Sequence, residues 1–310
     1  MLRVYLRDPV VTLGRLSATV LAAFVGAFLV ALPAQGASVT TVIDGIMYQA
    51  DDANIAAGAT IVSSGDVAPD LVIPETVNIG GNDYAVTQVA NYAFQSKNLD
   101  SVHLPSTLRY IQPYAFSNNY LNTITVPGSV GLINTGAFAY NNLTSVNLEH
   151  GTYQLAGGVF AYNQLTSVTI PASVTGISGS AFLGNPLGEV TFLGDAPVMG
   201  TPNALGTSGP VVKYHHDVAG FSSPTWTAGG VVYTSELIPA VTVTFDANGH
   251  GTSPMPSTGR PGHSVDAPAA PTASGNTFNG WYTAASGGAQ VAFPYSVTSD
   301  TTRPQATPSR

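Results

Sequence analysis

The chain has no cysteine. Disulfides, thiolate nucleophiles, cysteine-held metals and a lipid-carrying cysteine anchor are therefore excluded. Charge is nearly as scarce. Charged residues make up 8% of the 310 residues, against about 25% in ordinary globular domains. Solubility must then rest on Ser, Thr, Asn and Gly. Acids outnumber bases 17 to 9, for a formal net charge of −8. Nucleic acid, which requires a basic footprint, is not an expected partner. The stretch from Leu99 to Pro186 carries only Asp100, Arg109 and Glu149 as formal charges. Gly-x-Ser-x-Gly, His-Glu-x-x-His and Walker-type loops are absent from the sequence, which removes the commonest catalytic signatures.

What the chain has instead is a period. Leu99, Leu121, Leu143, Leu165 and Leu187 are each 22 apart (121 − 99, 143 − 121 and so on). Val102, Ile124, Val146, Val168 and Val190 move with them, as do Leu104, Val126, Leu148, Ile170 and Phe192. A period of this size means a solenoid in which each unit packs on its neighbours. Within a unit the apolar-x-x-apolar-x-apolar spacing predicts a strand with one buried face. Pro105, Pro127 and Pro171 follow at once and end it, having no N–H for a ladder. Glu149 and Leu193 stand there in the other two units.

Ile111, Ile133, Leu155 and Ile177 recur next and should fill the middle of the core. Phe94, Phe116, Phe138 and Phe182 each follow an Ala, with Val159-Phe160 as the variant, and their rings should stack from coil to coil. Asn119, Asn141, Asn163 and Asn185 lie two residues before a repeat Leu. Buried there, they can bond backbone groups that a tight turn leaves unpaired, which predicts an asparagine ladder.

The string LTSVTIPASVTGISGSAFLGN (Leu165–Asn185) resembles the BspA-like leucine-rich repeat of bacterial surface proteins. Further on, Val-Thr-Phe-Asp-Ala-Asn-Gly (Val243–Gly249), Phe-Asn-Gly-Trp-Tyr (Phe278–Tyr282) and Asp-Thr-Thr (Asp300–Thr302) resemble the internalin-type B-repeat, also called the Listeria–Bacteroides repeat. The family continues beyond Asp-Thr-Thr into a further strand. Here Arg303-Pro304 intervenes, which points to a missing last strand.

Together these readings predict a mainly β chain, a leucine-rich-repeat solenoid with terminal caps followed by a small β-grasp-like domain. Residues 1–36 read as a signal peptide. Arg3, Arg7 and Arg15 flank an uncharged run from Leu16 to Leu32, and Ala34-Gln35-Gly36 offers a cleavage site. An uncleaved anchor is the alternative reading, since the run is only slightly short of the ~20 residues that span a bilayer. Residues 37–239 are assigned to the solenoid, with regular repeats over about 71–193. An amino-terminal cap is expected up to about Tyr84, and a carboxy-terminal cap from Val211 that Phe221 and Trp226 close. Residues 240–302 are assigned to the B-repeat-like domain and 303–310 to a tail. Asn248-Gly249 should turn a hairpin.

Possible ligand sites are few. His215-His216-Asp217 is the one dense group of metal-ligand residue types, but neighbours on a strand point to opposite faces, so a cap strand is the expected role. Asp246 and the pair Asp51-Asp52 lack the acidic series of a calcium loop. Trp281 and Tyr282 could stack on a sugar, but core positions are expected. The concave strand face is the better candidate. Ser101 and His103, Thr123 and Thr125, Ser145 and Asn147, Ser167 and Thr169, and Glu189 and Thr191 should form two polar files there, with strands about 4.8 Å apart. Thr favours strands regardless of any ligand, so solubility and strand propensity are the competing explanation. Expected is a monomeric, secreted or surface-held binding protein with an extracellular protein or glycan partner. No catalysis, cofactor, metal or integral membrane domain is expected. An envelope spacer without its own ligand is the alternative.

Overall fold

The computed structural model describes residues 38–275 and 277–305. The expected signal peptide over 1–36 lies outside the described residues.

The period read from the sequence is the period of the coil. Each coil contributes a strand to one side of the solenoid, a two-residue strand to a second side, and a tight turn to a third edge. The first set comprises Thr123–Val126, Ser145–Leu148, Ser167–Ile170 and Glu189–Phe192. The strands stop at Val126 and Ile170, one residue before Pro127 and Pro171, as a residue without an N–H requires. Where Glu149 replaces proline its N–H bonds Val126 O at 3.1 Å, and its Oε2 accepts from Gly128 N at 3.0 Å. That corner is held by the side chain of the next coil.

On the second side, Tyr110–Ile111, Leu132–Ile133, Gln154–Leu155, Gly176–Ile177 and Val198–Met199 pair in parallel, one coil to the next. They extend a sheet that begins with the antiparallel strands Ser38–Ile43, Ile46–Asp51 and Ala59–Ser64. Asp44 and Gly45 turn the first hairpin with positive φ. Gly80-Gly81 turns a second, between Thr76–Ile79 and Asn82–Val89. These hairpins cover the first coil, whose core would otherwise face water.

The register outlasts the consensus. Val211–His215 pairs in parallel with Glu189–Phe192, Val190 against Val212 and Phe192 against Tyr214, still one repeat apart. Ala204 and Leu205 are buried in the Ala-Phe place of that coil. The antiparallel hairpin Thr225–Ala228 and Val231–Ile238 then closes the solenoid. Phe221 and Trp226 lie 5.2 and 5.9 Å from Phe192, ring centre to ring centre.

The main core is continuous from Ile46 to Tyr233. Five repeat leucines and five turn phenylalanines are its spine, all with essentially no exposure. The Phe rings stack at 5.2, 5.4, 5.7 and 5.6 Å, one ring per coil. Stacking in this offset range adds about 0.5–1.5 kcal/mol per pair to the burial of the rings.

The asparagine ladder is present. Asn141 Nδ2 donates to Phe138 O of its own coil at 3.1 Å and to Phe116 O of the preceding coil at 3.0 Å. Its Oδ1 accepts from Leu121 N at 3.1 Å. Asn119, Asn163 and Asn185 repeat the scheme. The turns that need these bonds contain a recurring pair of left-handed residues, at Tyr92 and Ser96, Tyr114 and Asn118, Gly136 and Tyr140, Gly158 and Tyr162, and Ser180 and Gly184, with Asn98 a third in the first turn.

A second, smaller core joins Val241, Val243, Phe245, Val265, Trp281 and Val297. Trp281 packs on Phe245 and Phe278 at 5.0 and 5.1 Å and is buried. Val241–Asp246 lies between Ser257–Gly259 and Thr301–Pro304. The last of these is the strand whose loss Arg303-Pro304 suggested. It pairs Val243 with Thr301 and Asp246 with Pro304. It runs along the edge of its sheet, where proline costs no ladder bond. Asn248 and Gly249 do take the left-handed turn. The returning strand begins only at Ser257, so the connection is a loop and not a two-residue hairpin.

Candidate functional site

Alternation along each long strand sends every second residue outward. Ser101, His103, Thr123, Thr125, Ser145, Asn147, Ser167 and Thr169 are all exposed, and Glu189 and Thr191 are half-buried. The register aligns them in rows. Ser145 stands opposite Thr123 and Asn147 opposite Thr125. Glu189 stands opposite Ser167 and Thr191 opposite Thr169.

The files are not one uninterrupted sheet. Asp70–Val72 pairs with Ser101–His103, Thr123–Val126 with Ser145–Leu148, and the strands from Ser167 onward form a third group. The ends of the files are also occupied. Ser101 Oγ donates to Asp70 Oδ1 at 2.6 Å. Glu189 forms an ion pair with Lys213 at 2.6 Å, and this bond pushes the lysine pKa up. Thr191 donates to Glu189 at 3.3 Å. Between these ends, His103, Thr123, Thr125, Ser145, Asn147, Ser167 and Thr169 have no side-chain partner among the described residues.

A groove of about 350 Å³ opens where the first two strand groups meet. Glu75, His103, Ser106, Thr123, Thr125 and Glu149 are among its lining residues. Glu75 is fixed at its rim by Ser106 N at 2.9 Å and Thr107 N at 3.0 Å, and by the Ser106 hydroxyl. These bonds, the Ser106 backbone foremost, hold its carboxyl below the usual range. The groove offers hydroxyls, one imidazole and two carboxylates. It has no buried nucleophile paired with a base, the minimum for covalent chemistry.

The histidine pair is divided, but not by strand alternation: the strand ends at His215, which is buried beside buried Tyr214, and His216 lies exposed in the following turn. Burial and the neighbouring Arg260 push the His215 pKa down, while Asp217 opposes them. Arg260 comes from the second core's segment. Its Nε donates to both Asp217 oxygens at 3.0 and 3.1 Å, and its Nη1 donates to Leu193 O at 2.6 Å. The Arg260 bond to its own carboxylate holds Asp217 below its ordinary value. No group of three or more His, Cys, Asp and Glu suited to a metal ion occurs among the described residues. No helix among them is long and apolar enough to cross a membrane.

One surface group was not singled out from the sequence. Tyr92 and Tyr114 are one repeat apart, and so are Tyr140 and Tyr162. That period was the available signal. The four rings lie on the turn edge, outside the strand-face files.

Comparison with known proteins agrees with this architecture. Residues 84–200 match the family model of the BspA type Leucine rich repeat region, in 6 copies. Residues 242–302 match the Listeria-Bacteroides repeat domain. Both are typical of bacterial surface and extracellular proteins. No curated protein matches the chain. Among solved structures, a leucine rich cell surface protein from Faecalibacterium prausnitzii is similar at 21% identity with a TM-score of 0.43 over 64% of this chain and 59% of that one. A leucine-rich repeat protein from Bacteroides capillosus gives 18% identity and 0.31, over 57% and 98%. The pneumococcal vaccine antigen PcpA gives 18% and 0.38, over 64% and 54%. The chain thus spans about three fifths of the length of the first of these. Residues 84–200 are thus BspA-type leucine-rich repeats, and residues 242–302 are a Listeria–Bacteroides repeat domain.

Proposed function

We propose that the protein is a non-catalytic binding protein of the bacterial surface or its surroundings, and that it engages an extracellular protein or glycan through the exposed strand face. The observation that carries this reading is the run of seven outward polar side chains, His103 to Thr169, without partners among the described residues. A rigid coil presents them. Each hydrogen bond to a ligand is worth about 1 kcal/mol net, so affinity would come from their number. Little conformational entropy is lost because the face is preformed.

The test places arginine at Thr125 and Thr169, at the centre of the face. Both side chains are exposed, so melting should be unchanged. Binding to whichever matrix protein or glycan an array identifies should be abolished. The exposed His216→Ala serves as control and should bind normally. Normal binding by the double arginine variant would move the site elsewhere.

A further inference from the structure

The turn edge carries a pattern that neither folding nor the strand face uses. Eleven left-handed positions serve the five regular turns, and four of them hold tyrosine: Tyr92, Tyr114, Tyr140 and Tyr162. A bulky side chain is uncommon at positive φ, because its Cβ crowds the backbone. The equivalent positions in neighbouring coils show what the turn itself asks for. They are Ser96, Asn118, Gly136, Gly158, Ser180 and Gly184, the small or short polar residues that tolerate this conformation. The tyrosines are thus held against a local preference.

They are also ordered. Tyr92 and Tyr114 stack at 5.4 Å with 2° between planes, and Tyr140 and Tyr162 at 4.7 Å with 12°. Each stack ends on a glycine. A Cβ at Gly136 would collide with the ring of Tyr114, and one at Gly184 with the ring of Tyr162. Yet three of the four residues stay exposed, and Tyr114 is half-buried. Tyr92, Tyr140 and Tyr162 are 53%, 54% and 47% exposed. Over the turns 91–98, 113–120, 135–142, 157–164 and 179–186 the sole formal charge is Lys97. The same turns carry Ser96, Asn118, Asn142 and Gln164, with Asn118 bonded to Ser96 at 2.7 Å and Gln164 to Asn142 at 3.4 Å.

We propose that this tyrosine edge is a second binding surface, for a neutral polysaccharide. Exposed, pre-ordered aromatic rings lose little entropy on contact, and their electron-rich faces attract the weakly positive C–H groups of a sugar. Amide and hydroxyl groups in the same turns suit sugar hydroxyls. The near absence of charge selects a neutral ligand over an anionic one, and over a protein recognised by charge. A ligand with its own short repeat can meet successive coils at once, which raises affinity through multivalency.

The test is native gel electrophoresis through dextran, yeast mannan or laminarin, with heparin as the anionic comparison. The protein should be retarded by at least one of the three neutral polymers and not by heparin. Replacing Tyr92, Tyr114, Tyr140 and Tyr162 together by Asn, the residue already used at position 118, should weaken that retardation at least tenfold while circular dichroism keeps its β signal. The Thr125→Arg/Thr169→Arg variant should be retarded like the parent, which separates this surface from the strand face. Should the fourfold variant melt early, the single variants Tyr92→Asn and Tyr140→Asn must each still weaken retardation at least threefold. Retardation by none of the neutral polymers, retardation by heparin alone, or undiminished retardation of the folded tyrosine variants would each overturn the proposal.

Discussion

The asparagine ladder makes a prediction finer than "buried polar residues matter". Adjacent rungs share acceptors. Phe116 O accepts from both Asn119 and Asn141, and Phe138 O from both Asn141 and Asn163. In Asn141→Ala, each Phe carbonyl keeps one amide donor, and Ala139 O keeps the Asn118 N–H at 3.0 Å. The group left without a partner is the Leu121 N–H. One buried orphan costs about 1–3 kcal/mol. Asn163→Ala should cost the same, by orphaning the Leu143 N–H. At the last rung the sharing ends. Phe182 O accepts from Asn185 and no later asparagine follows, so Asn185→Ala orphans both that carbonyl and the Leu165 N–H. At the first rung Asn119 serves Leu99 N, Lys97 N and Phe94 O. The terminal rungs should therefore cost about 2–5 kcal/mol each, more than the inner ones. Asn142→Ala, one residue from a rung and only half-buried, should cost about 0.5 kcal/mol or less. Thermal melting at a fixed scan rate resolves this order, since 1 kcal/mol moves the midpoint by roughly 2–4 °C in a domain of this size. Equal shifts for all four rungs would refute the shared-acceptor account. Shifts no larger than that of Asn142→Ala would refute the ladder.

Phe116→Ala and Phe138→Ala should each cost about 3–5 kcal/mol, because each removes a fully buried ring between two others; denaturant midpoints measure it. His215 has an orphan Nδ1 among the described residues and a pKa below the ordinary 6.5. The unfolded chain therefore takes that proton first, so the site's contribution to stability is complete above about pH 6.5 and is lost as pH falls from there toward the lower folded value. Melting midpoints of the parent should fall across that window, and His215→Leu should flatten the decline. Amino-terminal sequencing of protein exported by its native host should begin at Ala37, and a mature form beginning at Met1 would favour an uncleaved anchor.

The repeat leucines, the Ala-Phe pairs, the strand-ending prolines and the asparagine rungs were all legible in the sequence. In a solenoid each residue meets its own counterpart one coil on, so a one-dimensional period encodes three-dimensional contact. The outward positions Thr123, Thr125, Ser167 and Thr169 were legible for the related reason that strand alternation fixes the side a residue faces.

What escaped the pattern depended on backbone pairing and conformation. The coil at Val211–His215 keeps its register with Gly209 standing where the repeat Leu would fall, because the ladder of Glu189–Phe192 supplies the template. Arg303 and Pro304 look like a strand's end, yet they continue an edge strand beside Phe245 and Asp246, with Pro304 O accepting the Tyr282 N–H on the outer side. The reach of Arg260 to Asp217 and Leu193 joins residues far apart in the chain that no period relates. Nor does the sequence say that the two tyrosine pairs stand on left-handed backbone with their rings stacked. Local composition favours glycine, serine or asparagine at those turns, and only the stacked coils decide which positions become turns. The sequence by itself therefore determined the repeat, its core and its buried polar ladder. The tertiary structure decided the register of the closing coil, the course of the last edge strand and the tyrosine edge, because those depend on which edges and rings the finished coil leaves uncovered.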